Sequence, residues 1–327
     1  MNRNQKLLSG IILTIAVVLI LVSTIPNPRA QNLTPRDFPD FYTKNEDYFI
    51  TRIGSVPSIN RDTYQLEIKG LIDNPTNFSL DELQSLNLIN LPLTIECIGN
   101  PKNSFLIGTA IWRGFNVFEL LETLGISENA TGVTYRAADG YYVSHTLGQL
   151  RYNGVLGALY MNGVELPPVQ GFPLRILNPG YYGAKQPAWV TEIRVIDTPL
   201  DDYWDNFGWD TSKRMDVDTK VFFPEDSSSA NVSQLMSVGG CAFGGTRIAV
   251  VEYSIDDGST WINATIVQEI DADNVWVFWQ IDIRIQTTGE VIMWIRATDV
   301  NGNVQDQYDL EALDGTSLWS RLSINVI

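Results

Sequence analysis

The pattern of hydrophobic and polar positions divides the chain into three textures. The first is an uncharged apolar run over residues 7–25, preceded by Arg3 and Lys6. At ~1.5 Å per residue, a helix of that length approaches the ~30 Å thickness of a hydrocarbon layer. The run predicts a single transmembrane anchor. Residues 1–6 are then expected in the cytoplasm, and the slight positive-inside bias places the body outside it, at the cell membrane. A cleaved signal peptide is the alternative, although its apolar stretch is usually only ~7–15 residues. Residues 26–37, rich in Pro, Asn and Arg, read as a linker.

The second texture, over residues 38–209, mixes two periods. Short strand-like runs at 64–68, 93–97, 133–137, 174–177 and 189–196 alternate with helical patches at 79–86 and 117–124. Ser79 followed by Glu82 is a capping box opening an apolar helix face. The expected class is α+β. From residue 210 to 327 the texture is strands alone, with apolar runs at 248–255, 275–285 and 290–298. Turn signals at Asp256-Asp257-Gly258 and Asn301-Gly302-Asn303 separate them. This predicts an immunoglobulin-like β-sandwich. The segment from Ser254 to Trp261 also matches the S-x-D-x-G-x-T-W box of sialidases, but a propeller would need several copies. Here it predicts a hairpin turn, and a carbohydrate-binding role is the weakest of the readings considered.

Charge and rare residues then remove whole function classes. With 38 acidic and 22 basic side chains, the chain carries a net charge of -16. Such a surface repels polyanions, so nucleic acid is excluded as a partner. A single histidine, His145, and two cysteines, Cys97 and Cys241, leave no paired-His zinc site, CxxC motif or four-cysteine cluster. Neither a haem nor an iron–sulfur motif is expected. His145 has two readings: a general acid, or a hydrogen-bonded strand residue.

Cys97 is the first candidate for chemistry. It closes a strand-like run and enters the small-residue turn Ile98-Gly99-Asn100-Pro101-Lys102. A thiolate beside Lys102 would have a lowered pKa and be a good soft-metal ligand or nucleophile. A buried apolar cysteine, or a disulfide with Cys241, is the competing reading.

The residues around Cys97 resemble the sulfite oxidase family of molybdenum-cofactor enzymes, in which a C-x-G-N-R-R turn supplies the thiolate that binds molybdenum. The resemblance covers nearly the whole body. Tyr48 to Arg52 with Val56-Pro57, Leu80-Asp81-Glu82-Leu83, Met161-Asn162-Gly163 with Leu166-Pro167, Gly171-Phe172-Pro173-Leu174-Arg175 and Pro179 to Lys185 match that family's motifs in order. The all-β tail is similar to its dimerisation domain.

By resemblance, Cys97 ligates the metal, and Arg52, Lys102, Arg175 and Trp209 surround the reacting centre. Arg52, Asp139, Gln170, Arg175, Lys185 and Gln186 would hold the molybdopterin. Tungsten is an alternative to molybdenum. Lys102 stands where the family has arginine, keeping the charge but losing the bidentate fork. Gln170 replaces a histidine, Ala188 a lysine, and Trp209 a tyrosine. The implied function is membrane-anchored oxygen-atom transfer on a small oxyanion or sulfoxide. Electrons would pass to an external carrier such as a membrane cytochrome or quinone-linked protein, and the tail implies a homodimer. The alternative is a catalytically inactive protein of the same fold acting as an extracellular binding or structural module. The N-terminus has no Arg-Arg pair of the kind that directs folded export.

Overall fold

The computed structural model describes residues 38–198, 200–212 and 214–327. The predicted membrane helix and linker therefore lie outside the described residues. Among the described residues, no helix is long and apolar enough to cross a membrane.

The first body unit is built on two sheets. One has the order Thr76–Ser79, Gln65–Gly70, Val190–Ile196, Gly132–Ala137, Tyr142–Thr146. Its pairs are antiparallel except for Gln65–Gly70 beside Val190–Ile196. The other has the order Ile89–Glu96, Ile107–Asn116, Leu156–Met161, Val164–Glu165, with Arg175–Leu177 also paired to Leu156–Met161. Three short helices, Leu80–Gln84, Val117–Leu124 and Leu147–Asn153, complete the unit. Ser79 caps the first helix as its sequence predicts, with its side chain accepting from the Glu82 N–H while the Glu82 carboxylate accepts from the Ser79 N–H. Leu66, Ile68, Val133, Tyr135, Leu121 and Ile193 form the core between these elements.

The second unit is a two-sheet sandwich. One sheet has the order Asp218–Phe223, Leu235–Phe243, Val277–Arg284, Thr265–Gln268. The other has the order Ser228–Ala230, Ser320–Val326, Gly289–Asp299, Ile248–Ser254, Ile262–Asn263. The Asp256 carboxylate accepts from the Thr260 N–H at 2.9 Å and from the Ser254 hydroxyl at 2.7 Å, closing the predicted hairpin turn.

The two units share a core. Ile98, Ile107, Tyr182 and Ala184 from the first pack with Phe222, Phe243, Trp276 and Phe278 from the second. Backbone bonds stitch the same seam: the Thr94 N–H donates to Asn274 O at 2.9 Å, and the Trp276 N–H donates to the Thr94 hydroxyl at 2.8 Å. Strand Ile89–Glu96 is thus tied to the sandwich immediately before it delivers Cys97.

Candidate active site

Cys97 leaves the strand with its N–H donating to Leu106 O, while Asn100 N–H donates back to Cys97 O, each at 2.9 Å. The buried Asn100 side chain locks this turn, donating to Glu96 Oε1 at 2.9 Å and accepting from the Leu106 N–H at 3.0 Å. Two other segments close over it. A Cβ built on Gly183 would lie 3.3 Å from Glu96 O and 3.9 Å from the Cys97 Cα, so the Tyr182-Gly183-Ala184 segment packs tightly against this strand end. On the other side the Trp209 indole lies 3.0 Å from a Cβ built on Gly99. Tyr141 completes the surround, near enough to feel the thiol's charge, with its hydroxyl donating to Ala184 O at 2.7 Å.

No disulfide joins Cys97 to Cys241, which is fully buried in the shared core. The electrostatics of the thiol differ from the sequence expectation. Desolvation pushes it up to about 11, opposed by a hydrogen bond from the Gly99 N–H and reinforced by the Glu96 carboxylate. Lys102 does not lower it, because the lysine ammonium turns away to Asp218 in the sandwich. A bound cation is therefore what would hold this sulfur as a thiolate.

A second group of residues gathers around Arg175. Its guanidinium donates to Gln170 O at 3.3 Å and Oε1 at 3.2 Å, and lies 5.5 Å over the Trp112 ring. Gln170, buried, donates to the carbonyls of Tyr48 and Phe49, both at 3.4 Å. Gly171 sits at φ +116°, and a Cβ there would fall 2.9 Å from Ala188 and 3.2 Å from the Arg175 Cβ. The G-F-P turn thus depends on glycine to set the arginine against Ala188.

Arg175 Nε, Asn178 Nδ2 and Gln186 Oε1 are among the buried polar atoms with no hydrogen-bond partner among the described residues. Native interiors rarely leave such groups unpaired. Two donors and an acceptor, one on a cation, fit the phosphate and amide groups of a pterin cofactor, and the Cys97 sulfur fits its metal.

The remaining sequence candidates divide. Arg52 is exposed, with its guanidinium folded onto Gly54 O at 2.7 Å, and no hydrogen bond among the described residues carries it to Cys97 or Arg175. Asp139 is half-buried and accepts from the Tyr141 N–H at 3.0 Å, with burial raising its pKa. Lys185 turns inward, its ammonium bonded to Asp202 and, at 3.0 Å, to Ser144 O, so its charge braces the site from behind. Gln186 donates to Tyr181 O at 2.8 Å. Asn178, Asp218 and Lys220 were missed. Asn178 adjoins the matched Pro179-to-Lys185 segment, whereas nothing local marks Asp218 or Lys220, which meet the turn across more than a hundred residues.

His145 is a buried strand residue, with Nε2 at 2.9 Å from Lys185 O. Burial drives its pKa down to about 3, assisted by the Lys185 charge, so it stays neutral near pH 7 and the general-acid reading fails. In the unfolded chain it titrates near ~6.5. Its contribution to stability is therefore complete above that pH and is lost as pH falls toward the folded value. His145→Gln should remove about 2 kcal/mol from the stability lost between roughly pH 7.5 and 5, by urea titration. Equal pH dependence in both proteins would refute the assignment.

Residues 53–204 match the family model of the oxidoreductase molybdopterin binding domain, and residues 210–327 match that of the Mo-co oxidoreductase dimerisation domain. Sulfite oxidase of Arabidopsis thaliana is 28% identical, covering 90% of this chain and 88% of its own. Mitochondrial sulfite oxidase of Drosophila melanogaster is also 28% identical over 82% of this chain, which spans 56% of that protein. NADH nitrate reductase of Ulva prolifera is 25% identical over 79% of this chain, which spans only 37% of that enzyme. Among solved structures, the sulfane dehydrogenase SoxCD from Paracoccus pantotrophus superposes with a TM-score of 0.77 at 19% identity, covering 88% of this chain and 82% of that one, a likeness of fold.

Proposed function

The chain belongs to the sulfite-oxidase-like family of molybdenum-cofactor oxidoreductases, and from that premise we propose that it carries out two-electron oxygen-atom transfer on a small oxyanion or sulfoxide-type substrate. The observation that carries this reading is the unbridged Cys97 thiol, in a turn packed closely against Gly183 and, through Gly99, against Trp209. When bound, the molybdenum cofactor supplies the oxygen transfer and the two-electron redox change.

The chain's own residues position and shield. Cys97 would hold the metal, with the Gly99 N–H donating to its sulfur and so tuning its charge. Arg175, Gln170, Asn178 and Gln186 would hold the anionic and amide groups of the pterin. Trp209, over Gly99, and Tyr141, close to the thiol, would shield the turn from water, where each electrostatic contact then counts for more.

The same reading includes an external electron carrier, a homodimer formed through the sandwich and an extracytoplasmic body anchored by residues 7–25. It is supported by the apolar run and the dimerisation-domain match. Purifying the full chain from a host that makes molybdopterin and measuring metal by mass spectrometry tests the core of it. About one molybdenum and one pterin per chain are expected, and a folded protein lacking both would sink the enzymatic reading.

A further inference from the structure

Beneath the Cys97 turn, two ammonium and two carboxyl groups cross between the two units, with Glu96, Asp218 and Lys220 buried and Lys102 partly exposed. Lys102, in the turn, bonds to Asp218 Oδ1 of the sandwich. Lys220, also of the sandwich, reaches the other way: its ammonium donates to Pro101 O at 3.3 Å and lies 3.5 Å from Glu96 Oε1 and 3.7 Å from Asp218 Oδ2. Asp218 is 1% exposed and is fixed further by Gln305 Nε2 at 2.7 Å and the Thr219 N–H at 2.8 Å. Two ammonium groups thus face two carboxylates in one enclosure. Both lysines that reach the turn are neutralised there, while the indole of Trp209 covers Gly99.

We infer that Asp218 is a specificity-determining residue: by holding Lys102 on the sandwich side of the Cys97 turn, it leaves the Trp209 face over Gly99 to take a small uncharged oxide, such as a dialkyl sulfoxide, in preference to an oxyanion. An anion beside the indole would give up water without gaining the charge that Lys102 could offer. This rests on the oxygen-transfer reading. In the direction of reduction, the S–O bond of the sulfoxide breaks, and two protons with two electrons from a one-electron carrier yield the sulfide and water.

The test compares dimethyl sulfoxide with nitrate, both driven by reduced methyl viologen, in the cofactor-loaded full chain. Wild type should favour dimethyl sulfoxide in kcat/KM, with a KM insensitive to ionic strength. Asp218→Asn, by freeing Lys102, should raise kcat/KM for nitrate about tenfold, the worth of one charged hydrogen bond. Asp218→Glu, which keeps the carboxylate, should restore discrimination.

A second readout needs no turnover. Sulfate titrated into the cofactor-free chain should leave wild-type tryptophan fluorescence unchanged and should perturb it in Asp218→Asn. Wild-type preference for nitrate, with a salt-sensitive KM, overturns the inference whether or not the variant folds. So does a folded Asp218→Asn that gains neither nitrate turnover nor sulfate binding. Absence of turnover with either substrate in metal-loaded protein would instead reject oxygen transfer, and the sulfate titration then decides the role of Asp218 by itself.

Discussion

Cys97→Ser should lose molybdenum retention and turnover by more than about a hundredfold, exceeding the 10–100-fold that loss of an outer hydrogen-bonding partner costs a metal site. The serine oxygen would occupy the same turn, between the Leu106 and Asn100 bonds that fix it, but a hydroxyl is a far poorer soft-metal donor than sulfur. Stability should change little, by about 1 kcal/mol or less, because the sulfur's polar contact here is the Gly99 N–H. Metal per chain, kcat with reduced viologen and the urea midpoint separate these effects. A serine variant that keeps wild-type metal would show that the thiol is not a ligand.

Lys220→Met should destabilise the protein by about 3 kcal/mol, the lower end of what breaking one side of a buried ion pair costs. The ammonium is 1% exposed, and its loss leaves the Pro101 carbonyl and Glu96 Oε1 without their cation. Glu96 softens the penalty. Burial pushes its carboxyl up to about 7 against the pull of Lys220, so it can take up a proton when the lysine is gone. Urea unfolding at pH 8, where protonation helps least, should show the larger loss. A change below about 0.5 kcal/mol, the scale of an exposed pair, would mean that the charges are not enclosed as described.

Much of the fold was legible because local periodicity and burial coincide. The helix expected over 117–124 forms as Val117–Leu124, with Val117, Phe118, Leu120 and Leu121 buried. The expected strands at 133–137, 189–196 and 248–255 form within a residue at each end. Strand Ile107–Asn116 was missed. Its Gly108 and Gly114 interrupt the apolar alternation, and both are needed where the strand crosses Tyr48 and Gly157: a Cβ would meet them at 2.8 Å and 2.0 Å.

The site was legible to the extent that its parts are consecutive. The Cys97 turn, the G-F-P turn and the 179–185 segment each carry their own signal, and the structure brings Trp209 onto the first of them. What the sequence hid is long-range. The reading of Lys102 as a cation beside the thiolate fails because its partner, Asp218, lies in the other unit. Similarly, Lys185 sits in a matched segment, but its charge answers Asp202 behind the site. One-dimensional spacing tells which residue types are present but not which neighbour each will choose.

The crossed lysines also limit how the two halves could be recombined. Grafting the cofactor-binding half onto another sandwich would leave Lys102 without Asp218 and Glu96 without Lys220 in the seam. The halves are therefore poor interchangeable cassettes, and a chimaera would need both Asp218 and Lys220 carried across with it.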